Sequence, residues 1–142
     1  AVEFDVQLCR DKVAVVIHDH DLFRVANDDR SVSSLKLADL VKINVAAQYS
    51  RYKTAFVPSF DEVANFCVSH NVAANIEIKP NIGEEEETAI LVGKAALRYW
   101  QGEHVRPLFS SFSLISLKTL QKHYPDEVFN TSPHAFQRKV LL

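Results

Sequence analysis

The sequence contains no methionine, only two cysteines and only three glycines in 142 residues. Two cysteines, Cys9 and Cys67, are too few for a disulfide framework, and one ends an apolar run while the other falls in a helical pattern. We therefore expect reduced core thiols, which favours a cytoplasmic protein. The chain has no CxxC pair, no glycine-rich loop to cradle phosphate groups, and no internal repeat.

A large excess of charge of one sign and long apolar runs are also absent. The formal net charge is −2, so the electrostatic signature of a nucleic-acid-binding protein is absent. No apolar run reaches the roughly 20 residues of a transmembrane helix, and no signal peptide is visible. A hydrophobic content of 47% suffices for one core, which predicts a single domain over residues 1–142. Because the chain starts at Ala1 inside a strand-like run, we expect its N-terminus to differ from the natural one.

The first twenty residues hold the strongest pattern. Residues 2–8 alternate between apolar and polar side chains, which predicts a strand with Glu3 and Asp5 on one face. A second, β-branched run starts at Val13 and ends abruptly at His18-Asp19-His20. A tight turn near residues 11 and 12 would pair the two runs as a hairpin, with Asp5 opposite His18. Solvated charges on an exposed edge are the alternative, but buried carboxylates would attract a hard cation.

The rest of the sequence alternates helices with strands, which predicts an α/β fold with a parallel sheet. The first expected elements are a loop over 21–34, a helix over 35–42 capped by Ser33 or Ser34, and an irregular segment over 44–57. A Ser59–Glu62 capping box then begins a helix with Val63, Phe66, Cys67 and His70 on one stripe. A strand over 72–79, a helix over 84–101 and a strand over 106–112 follow, and a last helix, capped by Ser113, reaches Tyr124 and is stopped by Pro125.

The strand over 72–79 is also two-faced. Ile76 and Ile78 face one way, while Glu77 and Lys79 share the other face. A salt bridge between neighbouring strands would explain this polar face. The alternative is a site for metal and phosphate, because functional residues of α/β folds collect at the carboxyl ends of strands, where Ser111 is also expected.

Five stretches together resemble the glycerophosphodiester phosphodiesterase family. They are Glu3-Phe4-Asp5-Val6-Gln7-Leu8, Val15-Val16-Ile17-His18-Asp19, Pro58-Ser59-Phe60-Asp61-Glu62-Val63, Asn75-Ile76-Glu77-Ile78-Lys79 and Ser110-Ser111-Phe112-Ser113. The resemblance implies a TIM-type (β/α) barrel that hydrolyses glycerophosphodiesters to glycerol 3-phosphate and an alcohol. It also implies Glu3, Asp5 and Glu77 as ligands of a divalent cation, Mg²⁺ or Ca²⁺. By the same resemblance His18 is one of two catalytic histidines, and Lys79 holds the phosphate.

The sequence departs from this family at several points. The family's His-Arg-Gly strand and Pro-Glu-Asn-Thr segment are absent before Glu3, and so is the other catalytic histidine. Glycines expected near Lys12 and over 27–30 are missing, and the tail from Asn130 does not follow the family. Since a barrel usually needs roughly 250 residues, we expect an incomplete one that lacks its first and last strands.

Two other hypotheses compete with this interpretation. The chain could be an inactive barrel fragment, or part of a non-enzymatic protein that binds metal or phosphate, and open sheet edges would favour either. Alternatively, a related phosphodiesterase could act on a lipid headgroup. A hydrophobic surface beside residues 49–57 would favour that substrate.

Overall fold

The fold is an α/β arrangement built on a four-stranded sheet. The computed structural model describes residues 1–49, 51 and 54–124. The described strands are Val2–Leu8 (β1), Ala14–Val16 (β2), Asp21–Leu22 (β3), Asp28–Ser31 (β4), Ala74–Ile78 (β5) and Leu108–Ser110 (β6). The described α-helices are Phe23–Ala26 (α1), Leu37–Leu40 (α2), Phe60–Ser69 (α3), Glu85–Trp100 (α4) and Leu114–His123 (α5), with a 3-10 turn at Val32–Ser34.

The sheet has the order β2-β1-β5-β6. Strands β1, β5 and β6 are parallel, whereas β2 pairs with β1 in the antiparallel direction. Helix α3 lies in the chain between β2 and β5, and α4 lies between β5 and β6. The predicted α/β fold with a parallel sheet is therefore confirmed, with one antiparallel strand added by the hairpin.

The helix starts follow the predicted caps. The Glu62 amide donates to Ser59 Oγ, and Glu62 Oε2 accepts from the Ser59 amide at 2.8 Å, which completes the capping box. The Ser113 hydroxyl likewise accepts from the amide of Ser116 at the start of α5. The predicted stripe of α3 is not its buried face: Phe66 is 54% exposed and stacks on His70. The buried face contains Phe60, Ala64 and Cys67.

Two hydrophobic cores flank the sheet. The larger, which we call the main core, joins the apolar face of the sheet to α3 and α4. Its most buried large side chains are Val6, Phe60, Ile76, Ile78, Trp100 and Leu120. The smaller, which we call the second core, lies between the hairpin and the segment over 22–57. It is formed by Cys9, Val15, Leu22, Val32, Leu35, Leu40 and Val57.

The segment that forms the second core differs from its prediction. The expected loop over 21–34 contains β3, α1 and β4 instead. The expected helix over 35–42 shrinks to α2, whose N-cap is Lys36 and has no side-chain cap. Leu35 remains extended because its side chain is buried in the second core, so a helix cannot start at Ser33 or Ser34.

The hairpin register also differs from the prediction. Val6 pairs with Val16 and Leu8 with Ala14, which moves the register by one residue. The loop has three residues, closed by a bond from the Cys9 amide to the Val13 carbonyl at 3.0 Å. Lys12 takes a positive φ of 60°, as this loop type requires, at a position where glycine was expected. A three-residue loop centres the hairpin on residue 11, so Asp5 lies beside Ile17 rather than His18.

Both cysteines are free and buried, as expected for core thiols. Burial, followed by a hydrogen bond to Asp11, raises the pKa of the Cys9 thiol to about 11. Within the described part of the chain, no helix combines the length and apolar character that a membrane crossing demands. The predicted stop at Pro125 and the tail from Asn130 fall outside the described residues.

Candidate active site

The site lies on the polar face of the sheet, opposite the main core. Because strands are pleated, residues two apart share a face, and parallel pairing places Asp5 directly beside Glu77 and Glu3 beside Asn75. On the third strand, Ser110 pairs with Glu77 and donates its hydroxyl to Asn75 Oδ1 at 3.1 Å. Three strands therefore contribute polar side chains to one surface.

Three carboxylates of this surface converge. Glu3, Asp5 and Glu77 each offer one carboxylate oxygen, and these three oxygens lie within 4.8 Å of one another. We call this group the carboxylate cluster. Glu77 is only 4% exposed, whereas Glu3 is open to solvent. Three like charges at this separation repel each other, and an all-oxygen set of this kind fits a hard divalent cation.

Lys79 connects the carboxylate cluster to the hairpin. Its Nζ atom lies 3.8 Å from Asp5 Oδ1 and donates a hydrogen bond to the main-chain oxygen of His18. Its side chain is only 18% exposed, and its amide donates to the Val6 carbonyl just past the end of β5. The Lys79 ammonium therefore lies at the carboxyl end of β5, next to the carboxylates.

His18 does not take the predicted position opposite Asp5, and its link to the site is its main-chain carbonyl, which accepts from Lys79. Its imidazole Nδ1 lies 2.6 Å from Asp19 Oδ1, and the second oxygen of Asp19 accepts from Arg24 Nε at 2.6 Å. The guanidinium of Arg24, and secondarily the His18 ring, hold the pKa of the Asp19 carboxyl below its usual value. The imidazole itself is open to solvent, with a side-chain exposure of 68%.

Gln7, Asp19 and Arg24 are polar residues that sequence reasoning missed. Gln7 occupies the next position after Asp5 on the polar face, and its amide Nε2 lies 2.9–3.1 Å from three main-chain oxygens of the His18 segment. Its place in the alternation was visible in the sequence, but its full burial was not. Asp19 adjoins His18 in sequence, and that adjacency was the available signal. Nothing in the sequence marked Arg24.

Ser111 has a connecting role beside the site. Its hydroxyl donates to the Ile78 carbonyl at 2.6 Å and accepts from the Ser113 amide at 3.0 Å. The side chain is buried, so it joins the end of β5 to the start of α5. A cavity of about 380 Å³ opens next to Lys79 and is lined by His20, Ile78, Lys79, Pro80, Phe112 and Ser113.

These features define an α/β protein with a carboxylate site at the end of a parallel sheet. The sequence model described as the Glycerophosphoryl diester phosphodiesterase family matches residues 1–137. The chain therefore belongs to that family.

Individual relatives agree with this assignment. A glycerophosphodiester phosphodiesterase from Caldanaerobacter subterraneus is 31% identical over 129 residues, which cover 87% of this chain and 51% of the relative. Among solved structures, a phosphodiesterase from Oleispira antarctica, in complex with the product sn-glycerol-3-phosphate, superposes with a TM-score of 0.79 at 28% identity. The match covers 88% of this chain and 51% of that enzyme.

A glycerophosphodiester phosphodiesterase from Thermotoga maritima superposes with a TM-score of 0.61 at 29% identity, covering 87% of this chain and 46% of that one. The chain thus spans about half the length of the relatives it matches.

Proposed function

We propose that this protein hydrolyses glycerophosphodiesters to glycerol 3-phosphate and an alcohol, at the carboxylate cluster. The observation that carries the proposal is the convergence of Glu3, Asp5 and Glu77 within 4.8 Å. The substrate class is supported by the Oleispira antarctica relative, whose structure contains sn-glycerol-3-phosphate. Membership of the family adds the same expectation.

The carboxylate cluster would hold Mg²⁺ or Ca²⁺ rather than Zn²⁺, since all three ligands are carboxylate oxygens. When bound, such a cation neutralises phosphate oxygens and favours attack at phosphorus by water or by a neighbouring substrate hydroxyl. Glu77, which is almost completely buried, would be the inner ligand of the cation. Glu3 is exposed, so the side of the cluster at Glu3 would be accessible to substrate.

His18 would transfer the proton. Imidazole is the side chain best suited to general acid–base chemistry near neutral pH. Because Asp19 engages the Nδ1 atom of His18, the Nε2 atom is left to exchange a proton with substrate or water. Arg24 anchors Asp19 from the other side and so restrains the orientation of the imidazole ring.

Lys79 would stabilise charge on the phosphoryl oxygens. Its ammonium lies at the edge of the cluster, 3.8 Å from Asp5 Oδ1, so a phosphate bound beside the cluster would also contact this positive charge. The cavity beside Lys79 would then receive part of the substrate.

We also propose that residues 1–142 belong to one domain, as part of a TIM-type barrel. Three parallel strands, with helices on one face and the polar site on the other, support this architecture. Among the described residues, β6 is an edge strand of the sheet, whereas the outer side of β2 pairs with Ser59 through an isolated bridge and with Pro58 through the Val16 amide. The edge at β6 favours the alternative that the chain by itself is catalytically inactive or only binds metal and phosphate.

The test is release of glycerol 3-phosphate from glycerophosphocholine, with and without Mg²⁺ or Ca²⁺, by this chain and by a version extended to the length of its relatives. We expect metal-dependent release by the extended version. Release by the extended version alone supports the inactive-fragment alternative for the isolated chain. Equal release in EDTA contradicts the metal site, and no release by either version contradicts the function.

A lipid-linked substrate is the second candidate. Three aromatic side chains of the second-core segment are open to solvent: Phe23 is 56% exposed, Tyr49 45% and Phe56 48%. Such side chains favour a substrate whose glycerol carries an acyl chain, so that the products are an acylated glycerol phosphate and the alcohol. Faster turnover of lysophosphatidylcholine than of glycerophosphocholine would support this candidate, and an unchanged preference after Phe56→Ser would contradict it.

A further inference from the structure

Gln7 is a fully buried polar side chain next to the carboxylate cluster. It lies on β1, two residues beyond Asp5, and has 0% exposure. Its Nε2 atom lies 2.9 Å from the Ile17 oxygen, 3.1 Å from the His18 oxygen and 2.9 Å from the Asp19 oxygen. The two N–H donors of one side-chain amide are therefore shared among three successive carbonyls.

The sheet does not supply partners for these carbonyls in the usual way. Strand β2 ends at Val16, and the last bond to β1 runs from the Ile17 amide to the Asp5 carbonyl. The chain then bends, and the next cross-segment bond is from the Val32 amide to the His20 carbonyl. Between these two bonds the backbone curves around the amide of Gln7, which takes the place of a neighbouring strand.

The same backbone is joined to the site by Lys79. The His18 carbonyl accepts from both Gln7 Nε2 and Lys79 Nζ, and the Lys79 ammonium is the group beside Asp5. A shift of the His18 main chain would therefore disturb both the His18 imidazole and the Lys79 ammonium at the edge of the carboxylate cluster.

We propose that Gln7 is a positioning residue that fixes the backbone of residues 17–19 and thereby aims the His18 imidazole and its partner Asp19. This inference rests on the proposed function, in which His18 transfers the proton. Gln7 acts through that backbone and touches neither metal nor substrate.

The first test is the turnover of Gln7→Leu, which keeps the side-chain volume and removes the amide. We expect kcat for glycerophosphocholine to fall about 10- to 100-fold, because small displacements of a catalytic group are costly, while KM changes less than about threefold. Divalent-cation affinity, measured by calorimetry, should stay unchanged. Gln48→Leu is the matched control, since it removes a single exposed bond to the Phe23 carbonyl.

The second test does not depend on turnover. In ¹³C NMR titrations, the Asp19 carboxyl of the unmodified chain should titrate below the ordinary range, as its contacts with Arg24 and His18 dictate. In Gln7→Leu this midpoint should rise towards the ordinary value, and in Gln48→Leu it should not move. This measurement separates the proposed role of Gln7 from the proposed hydrolase function. If the protein is inactive, the hydrolase function is contradicted, but the titration of Asp19 still tests whether Gln7 positions the His18 segment.

A Gln7→Leu variant that keeps its kcat, or that keeps the Asp19 midpoint while only its Tm falls, would show a packing role and overturn the proposal. If Gln7→Leu does not fold, Gln7→Asn replaces it in both measurements. Asparagine retains the amide but is one methylene shorter, so we expect the same direction of change. Unaltered kcat and Asp19 titration in Gln7→Asn would equally overturn the inference.

Discussion

Strands β1 and β5, which border the main core, and the segment that follows β2, which borders the second core, place their site residues by different means. We call them the main-core region and the second-core region. In the main-core region the backbone ladder of β1 and β5 sets Asp5 beside Glu77. In the second-core region the ladder ends at Val16, and side-chain bonds from Gln7 and Lys79 hold the His18 backbone. Ladders are regular and side-chain bonds are not, so the first arrangement follows from alternation whereas the second depends on individual contacts.

The largest expected effect tests the main-core side of this comparison. Glu77→Gln removes the charge of the most buried carboxylate with little change of shape. Loss of the bound cation should lower kcat/KM for glycerophosphocholine about 1,000-fold, since metal stabilisation of phosphoryl charge amounts to several kcal/mol. The matched control is Glu103→Gln, an exposed carboxylate outside the cluster. Turnover by Glu77→Gln equal to that of the control would contradict the assignment of Glu77.

His18→Asn tests the second-core side. We expect kcat to fall about 100-fold or more, because general acid–base catalysis is lost, while cation binding remains. His104→Asn serves as control, since His104 is exposed and lies between α4 and β6. A parallel loss of kcat and of cation affinity would mean that His18 and the carboxylates act as one unit, which breaks the distinction between the two regions.

Leu40→Ala tests whether the second core folds as a separable unit. Leu40 is completely buried there, and its truncation should cost at least about 2 kcal/mol. In hydrogen exchange, the Val32 amide, which bonds to His20, should lose protection, whereas the Lys79 amide, which bonds to Val6, should keep it.

Leu37→Ala is the control on the same short helix, because Leu37 is only partly buried. Equal loss of protection at Val32 and Lys79 in Leu40→Ala would instead show that both cores unfold together.

The smallest expected effect is acid dependence of the second-core segment. Hydrogen bonds from the Arg30 side chain, then from its amide, lower the pKa of Asp28 from 3.8 to about 2. A lowered carboxyl pKa stabilises the fold above the ordinary value, and this contribution is lost as the pH falls from about 4 towards 2. Asp28→Asn should lower Tm by only a few degrees at pH 7, because Arg30 is exposed. The difference from wild type should shrink as the pH falls through about 2, and a constant difference across that range would contradict this account.

The same comparison explains what the sequence could predict. The alternation in 2–8 and 72–79 placed Glu3, Asp5 and Glu77 on polar faces, and the structure brings the three together. The capping residues Ser59 and Ser113 were also read correctly, because a cap is a local signal. The roles of these carboxylates, of His18 and of Lys79 remain predictions.

The failures lie where tertiary contacts override local pattern. The hairpin register moved by one residue because Lys12 adopts a positive φ without being glycine. The helix expected over 35–42 lost its start because Leu35 is buried in the second core. Gln7 looked like an ordinary polar strand residue, since its three acceptors come from a bend that no periodicity encodes.

The central claim is that Glu3, Asp5 and Glu77 form a site for a divalent cation. Titration of this chain with Mn²⁺, followed by electron paramagnetic resonance, tests it without any need for turnover. The account predicts saturable binding at one site that is lost in Glu77→Gln and retained in Glu103→Gln. Equal Mn²⁺ binding by both variants would contradict it.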